Sequence, residues 1–140
     1  MYQLHSRLQQ DTVYIGQFSL CDVLLMNDAR YPWVILVPKR AALTEVFQLN
    51  IALQKQLMLE STFVAQQLSA MVGADKMNIA SLGNVVSQLH IHHVARFTTD
   101  EQWPDPVWGK GPAVNYTDEE SAAICQQLKA VLADLLQDGE

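Results

Sequence analysis

A chain of 140 residues with 49% hydrophobic and 17% charged residues has the length and composition of one compact domain with an ordinary core. The formal net charge of -6 disfavours broad binding of a nucleic-acid polymer, although a mononucleotide carries few enough charges to be bound locally. The sequence has no apolar run of membrane-spanning length, no signal-peptide order at its start, and two cysteines far apart. We therefore expect a cytoplasmic protein without a membrane partner.

Short apolar runs alternate with turn residues in the first part of the chain, which is typical of antiparallel strands. Five strands are predicted, at residues 12–18, 21–26, 33–37, 77–82 and 88–97. The third is the buried run WVILV, which Pro38 stops. The fifth is followed by a loop rich in Trp, Pro and Gly at residues 100–112.

A helix is predicted over residues 44–72, where apolar residues recur at spacings of three, four or seven. Thr44 and Asn50 are both plausible N-caps, so a short helical turn can precede a longer helix. Gly73 is expected to end this helix, since glycine readily adopts the left-handed conformation that closes helices.

The last helix is predicted to begin at a capping box formed by Thr117 and Glu120 and to end at Gly139. The order of strands, helix, strands and helix predicts an α+β domain with an antiparallel sheet of about five strands. We expect one domain over residues 1–140, with a core at about 13–97 and a C-terminal loop and helix at 98–140.

Three of the four histidines lie within four residues, at His90, His92 and His93, inside the last predicted strand. Side chains alternate along a strand, so Gln88, His90 and His92 would share one face and His93 would lie on the other. Neighbours on one face stand roughly 6.5–7 Å apart, which would let two imidazoles address one phosphate group. His93 is then expected to be structural.

A pair of imidazoles on one face suits phosphoryl chemistry. A neutral imidazole nitrogen can attack phosphorus and form a labile phosphoramidate, and a second imidazole can stabilise the developing charge or protonate the leaving group. Two alternatives remain open at this stage. The histidines can be ordinary surface or core residues, or His90 and His92 can chelate a metal, although no HExxH or CxxC motif completes such a site.

Residues 83–96 read GNVVSQLHIHHVAR, and residues 33–40 read WVILVPKR. These strings resemble the histidine-triad (HIT) family, whose motif is His-φ-His-φ-His-φ-φ, φ being hydrophobic, usually after Gly-Gln and before Pro-Arg. The second string resembles the family's "hvLViPkr" strand. The resemblance covers roughly residues 13–97 and depends mainly on the histidine segment.

The resemblance implies a homodimer whose central strands join into one continuous sheet. It also implies that His90 forms a nucleotidyl-histidine intermediate, and that His92 and Gln88 support the phosphate and leaving group. Asn27 matches a ribose contact in the family. The remaining substrate-binding candidates, on the phosphate side, are Asn78, Gly83 and Asn84.

Three residues depart from the family pattern. Gln88 stands where the first histidine is expected, so the triad is a dyad, and an amide cannot change charge near neutral pH. Val85 stands where many members have a hydroxyl residue, and Ala95 replaces the proline. The nucleophile is retained, which predicts activity but leaves the preferred leaving group open.

Ordinary roles compete with several of these functional ones. Asn27 can simply form a turn, Asn78 and Asn84 can make loop hydrogen bonds, and Gly83 can be required only for a positive φ angle. Trp103 and Trp108 are expected to cover the domain or dimer surface, with a substrate lid as the alternative.

The function implied by the resemblance is that of a hydrolase or nucleotidyl transferase acting on the α-phosphate of a nucleoside phosphate derivative, with a purine favoured. No cofactor is required, although a divalent cation can accompany the substrate. The alternative is a nucleotide-binding or metal-binding protein with vestigial catalysis, which the Gln88 substitution favours.

Overall fold

The computed structural model describes residues 1–138, which form an antiparallel sheet covered by helices on one face. The α+β class and the five antiparallel strands predicted from the sequence are confirmed. In chain order the elements are α1 (Ser6–Asp11), β1 (Thr12–Gln17), β2 (Cys21–Met26), β3 (Trp33–Pro38), a 3-10 turn (Val46–Gln48), α2 (Ile51–Val72), β4 (Lys76–Ala80), β5 (Ile91–Arg96) and α3 (Asp118–Val131). The strand order across the sheet is β1-β2-β3-β5-β4.

The central strands are buried on both faces, and alternate residues face opposite layers of the molecule. Val34 and Leu36 of β3 pack in the core formed with α2 and α3. Trp33 and Ile35 of the same strand pack in a smaller cluster on the other face, together with Leu8 of α1. Helices α2 and α3 therefore cover one face of the sheet, and α1 with part of the 100–112 loop covers the other.

Helix α2 has the ends that its sequence predicted. The Asn50 side chain accepts a hydrogen bond from the Leu53 backbone N–H, and Gly73 adopts the left-handed conformation with φ 66°. A 3-10 turn precedes the helix, in agreement with the expected short turn before a longer helix. Its N-cap is Glu45 rather than Thr44.

Strand β5 is shorter than the predicted strand over residues 88–97. It begins at Ile91, because the Leu89 backbone N–H donates to the Leu43 carbonyl instead of joining the sheet ladder. Gln88 and His90 therefore lie in the connection that leads into the strand. Helix α1 was not predicted, and its N-cap His5 accepts a hydrogen bond from the Arg7 backbone N–H through Nδ1.

Helix α3 begins as predicted, with Thr117 and Glu120 capping each other's backbone N–H groups. The prediction for its other end is wrong, because the helix ends at Val131 and the chain continues in turns held by the Leu132 carbonyl. Gly139, the predicted terminator, lies outside the described residues. Within residues 1–138, no helix is both long and apolar enough to cross a membrane.

Candidate active site

His90 and His92 lie side by side on the sheet face opposite α2. Their ring centroids are 4.9 Å apart, and each residue is 7% exposed. Both rings line a cavity of about 370 Å³, a volume within the range of small-molecule sites. The pairing inferred from strand alternation is therefore present, although only His92 belongs to the strand itself.

The backbone of Gln88 fixes the orientation of His90. Its carbonyl oxygen lies 2.7 Å from His90 Nδ1, and a carbonyl can only accept, so Nδ1 carries the proton. In the neutral ring Nε2 then bears the free lone pair. This is the state that a nucleophilic imidazole requires.

An indole group fixes the orientation of His92. The Nε1–H of Trp33 donates to His92 Nδ1 over 3.0 Å, and both side chains are buried. Burial, together with the smaller effects of the neighbouring His90 and His93, lowers the pKa of His92 to about 3. The His92 ring is therefore neutral near pH 7 and carries its proton on Nε2, where it can donate a hydrogen bond.

His93 lies on the other face of the sheet, as the alternation of side chains predicted. Its Nε2 is 2.7 Å from the Ser61 hydroxyl of α2, and its Nδ1 is 3.1 Å from the Val34 carbonyl. Burial lowers the pKa of His93 to about 4, which keeps this ring neutral as well. These bonds join β5 to β3 and to the helix layer.

The cavity beside the two histidines is mostly apolar. Its apolar wall includes side chains from two strands and two loops, namely Met26, Ile35, Leu82, Val86 and Trp108. Arg7 and Asp11 of α1 supply its charged rim, and they pair with each other at 3.0 Å. Such a surface suits a planar ring system next to a small polar centre.

The loop between β4 and the histidines brings Gly83 and Asn84 to this cavity. Gly83 has a φ of 73°, a conformation that residues with side chains rarely adopt. The positive φ angle given above as the structural alternative for this glycine is therefore present. Both residues are therefore close to the histidine pair. Their contact with a phosphate stays a prediction.

The structure does not bring three of the predicted site residues to the cavity. The Gln88 side chain accepts from the His5 backbone N–H and donates to the Gln3 carbonyl, which ties it to the N-terminal segment. The Asn27 side chain accepts from the Tyr116 backbone N–H. Asn78 accepts from Arg96, so its oxygen too is held within the protein. The catalytic role of Gln88 and the ligand contacts of Asn27 and Asn78 stay predictions that these contacts do not support.

Arg96 has a structural partner in addition to Asn78. Its guanidinium makes two hydrogen bonds to Asp100, of 2.8 and 2.9 Å, and these hold the pKa of the Asp100 carboxyl at about 2. This bond pair anchors the start of the 100–112 loop at the end of β5. The same loop supplies Trp108, whose ring centroid is 5.5 Å from that of His92. Trp108 is thus part of the cavity wall.

Sequence reasoning missed several residues of the site. The sequence indicated only that Trp33 begins a buried strand. It did not predict α1, the helix that contains Arg7, Leu8 and Asp11. Among residues 1–138, no group of three His, Cys, Asp or Glu side chains is arranged to hold a metal ion. The site is thus a pair of oriented imidazoles at the edge of an apolar cavity.

A family model described as the HIT domain matches residues 7–99, about two thirds of the chain. The chain belongs to the histidine-triad (HIT) family. HIT proteins are generally nucleotide hydrolases or transferases. No curated protein matches the chain.

Three solved HIT structures are similar over nearly the whole chain. The histidine triad protein of Marinobacter aquaeolei VT8 is 47% identical, with a TM-score of 0.94 over 96% of this chain and 98% of that one. The protein of Sinorhizobium meliloti 1021 is 44% identical, with a TM-score of 0.92 and coverage of 94% and 98%. That of Bradyrhizobium japonicum is 43% identical, with a TM-score of 0.89 and coverage of 92% and 96%. The fold is therefore HIT-like.

Proposed function

We propose that this HIT protein is a hydrolase or nucleotidyl transferase that acts on the α-phosphorus of a nucleoside phosphate derivative through a nucleotidyl-His90 intermediate. The observation that carries the proposal is the pair of imidazoles, 4.9 Å apart, at the wall of the apolar cavity. Each ring is held through Nδ1, so both are aligned before any substrate arrives. Alignment of this kind lowers the entropic cost of reaching the transition state.

In the first step, His90 Nε2 attacks the α-phosphorus. A nitrogen–phosphorus bond forms, and the bond from phosphorus to the leaving group breaks with its electron pair going to that group. The positive charge that develops on His90 is stabilised by the Gln88 carbonyl, which accepts from Nδ1. The Nε2–H of His92 donates to a phosphoryl oxygen. In the second step, water or another acceptor attacks phosphorus and loses a proton to solvent. The nitrogen–phosphorus bond breaks, and its electron pair returns to Nε2, which restores the neutral His90 ring.

The apolar part of the cavity is proposed to hold the nucleoside. Ile35, Leu82 and Trp108 provide an apolar contact surface next to the histidine pair. The family resemblance favours a purine, whose larger ring system would cover more of this wall. No resident metal or cofactor takes part in the proposed steps, although a divalent cation can accompany a polyphosphate substrate.

A turnover screen tests this function. Adenosine phosphoramidates, dinucleoside polyphosphates and sugar nucleotides would be incubated with the protein, each with guanosine and cytidine counterparts. We expect release of a nucleoside monophosphate from at least one class, with purines preferred. Saturable nucleotide binding without turnover of any compound would instead support the alternative, a binding protein with vestigial catalysis.

The protein is also proposed to form a homodimer through β4, an edge strand of the sheet. Ile79 on this strand is 49% exposed, and the nearby Phe47 and Leu82, which line one surface depression, are 78% and 43% exposed. An uncovered strand edge beside large exposed apolar side chains favours pairing with a second copy of the same edge. Such pairing would give the continuous sheet that the family resemblance implies.

Ile79→Lys is expected to convert the dimer to a monomer, because it would place a charge from each copy at the proposed apolar contact between the β4 edges. Light scattering coupled to size-exclusion chromatography would measure the mass in solution. Val114→Lys is the matched control, since Val114 is 53% exposed in a loop away from β4. A monomeric mass for the unmodified protein at all concentrations would refute the dimer.

A further inference from the structure

The Nδ1 atom of His92 accepts a hydrogen bond from a side chain that can only donate. We infer that Trp33 is a positioning residue that holds His92 as a neutral Nε2–H donor, so that the reaction favours leaving groups that depart as oxyanions over leaving groups that must be protonated. This inference rests on the proposed function and narrows its substrate class. Polyphosphate, carboxylate and sulfate leaving groups belong to the favoured class, and amines belong to the other.

The position of Trp33 follows from the strand register. Ile35 of β3 lies opposite His92 of β5, so Trp33 is a diagonal neighbour on the same face, within reach of an indole ring. The Trp33 ring is 5% exposed and lies edge-on to both His92 and Trp108, with centroids 5.6 and 6.1 Å away. The packing leaves the indole N–H directed at His92 Nδ1 over 3.0 Å.

This hydrogen bond opposes protonation of His92. An imidazolium carries a proton on both nitrogens, and the one on Nδ1 would point at the indole N–H, which cannot accept it. Burial of the ring acts in the same direction and lowers the pKa of His92 to about 3. Near neutral pH the ring can therefore donate a hydrogen bond but has no spare proton to transfer.

Among residues 1–138, no other group beside the cavity is placed to protonate the leaving group instead of His92. The Nδ1 proton of His90 is committed to the Gln88 carbonyl, and His93 lies on the opposite face of the sheet. From α1, Arg7 and Asp11 reach the cavity, and they form an ion pair with each other. The 83–86 loop and Trp108 contribute no titratable side chain.

The chemical consequence concerns the bond that breaks. When His90 attacks phosphorus, the leaving group takes the bonding electron pair. A phosphate, carboxylate or sulfate oxygen holds that pair as a stable anion, and the Nε2–H of His92 can stabilise it by a hydrogen bond. An amine would have to leave as a strongly basic anion unless a proton reached it first. General-acid assistance increases enzymatic rates by about 10²–10⁴-fold, so its absence strongly favours oxyanion over amine leaving groups.

The first test is the tautomer of His92. In protein labelled with nitrogen-15 in histidine, long-range correlation spectra distinguish a ring protonated on Nε2 from one protonated on Nδ1. We expect the Nε2–H form for His92, with no titration between about pH 5 and 8. If His92 of the unmodified protein carried its proton on Nδ1, or titrated within that pH range, the inference would be overturned regardless of the results with the variants.

The second test compares substrates and variants. The unmodified protein is expected to turn over an adenosine dinucleoside polyphosphate with a kcat/KM about 10²-fold or more above that of the matched adenosine phosphoramidate. Trp33→Phe keeps an aromatic ring and removes the donor, so His92 should populate both tautomers and the preference should fall about tenfold. Trp103→Phe is the matched control, because the Trp103 ring packs against Arg96 and does not line the cavity. It should leave the tautomer unchanged.

Equal turnover of the two substrates by the unmodified protein would overturn the leaving-group preference. An unchanged preference and tautomer in a folded Trp33→Phe variant would overturn the role of Trp33. Absence of all turnover, with His92 still in the Nε2–H form, would reject the proposed function and retain the positioning role, because the spectra do not depend on catalysis.

Discussion

His90→Ala is expected to lower kcat by about 10³-fold or more while the affinity for a nucleoside monophosphate changes by less than about tenfold. The expected loss is large because His90 is the one imidazole of the pair whose Nδ1 proton is held by a carbonyl, which leaves Nε2 free to attack. His92 cannot substitute, since its Nδ1 accepts from Trp33 and its Nε2 carries the proton. Affinity is preserved because the apolar wall remains.

Gln88→Ala is the matched control for this experiment. It removes the side chain, which binds the N-terminal segment through Gln3 and His5, but keeps the backbone carbonyl that orients His90. We expect kcat to change by less than about tenfold. Steady-state kinetics with one nucleoside phosphate substrate would measure kcat, and calorimetry would measure the affinity for the nucleoside monophosphate. Full activity of His90→Ala would remove His90 from the mechanism.

Glu60→Ala is expected to lower the free energy of unfolding by about 3–5 kcal/mol. Glu60 is fully buried on α2, and its carboxylate accepts from the backbone N–H groups of Leu20 and Cys21 at 2.9 and 3.0 Å. Gln56 donates to the same carboxylate at 2.7 Å. Alanine would leave the two backbone donors of the β1–β2 turn buried without acceptors and would open a cavity beneath them.

Urea titration at pH 7 would measure this loss of stability. Glu60→Gln keeps one acceptor oxygen and should lose less than the alanine variant. Gln66→Ala, at an exposed position of the same helix, should change the free energy of unfolding by less than about 0.5 kcal/mol. A loss below about 1 kcal/mol in Glu60→Ala would show that the turn finds other partners.

Local sequence signals predicted the parts of the fold that depend on neighbouring residues. The caps at Asn50, Gly73 and Thr117 could be identified because each acts within a few residues of the helix end. The pairing of His90 and His92 followed from strand alternation, although the strand begins only at Ile91. The boundary was missed because a contact with a distant loop replaced the sheet ladder.

The missed parts depend on contacts between residues far apart in the chain. Trp33 and His92 are separated by 59 positions, and only the register of β3 on β5 shows that they meet. Glu60 is buried, although glutamate is usually exposed and nothing in the neighbouring sequence indicates its burial. Trp108 lies in a loop without periodicity, so its approach to His92 depends on how that loop is anchored at Arg96 and Asp100.

Trapping the covalent intermediate tests the central claim most directly. The protein would be mixed with the best substrate of the screen, quenched in denaturant at alkaline pH, and analysed by intact mass and peptide mapping. The mechanism predicts one nucleoside monophosphate bound through a nitrogen–phosphorus bond to His90, and no such adduct in His90→Ala. Steady turnover with no adduct at any reaction time, or an adduct on His92 in place of His90, would contradict the mechanism.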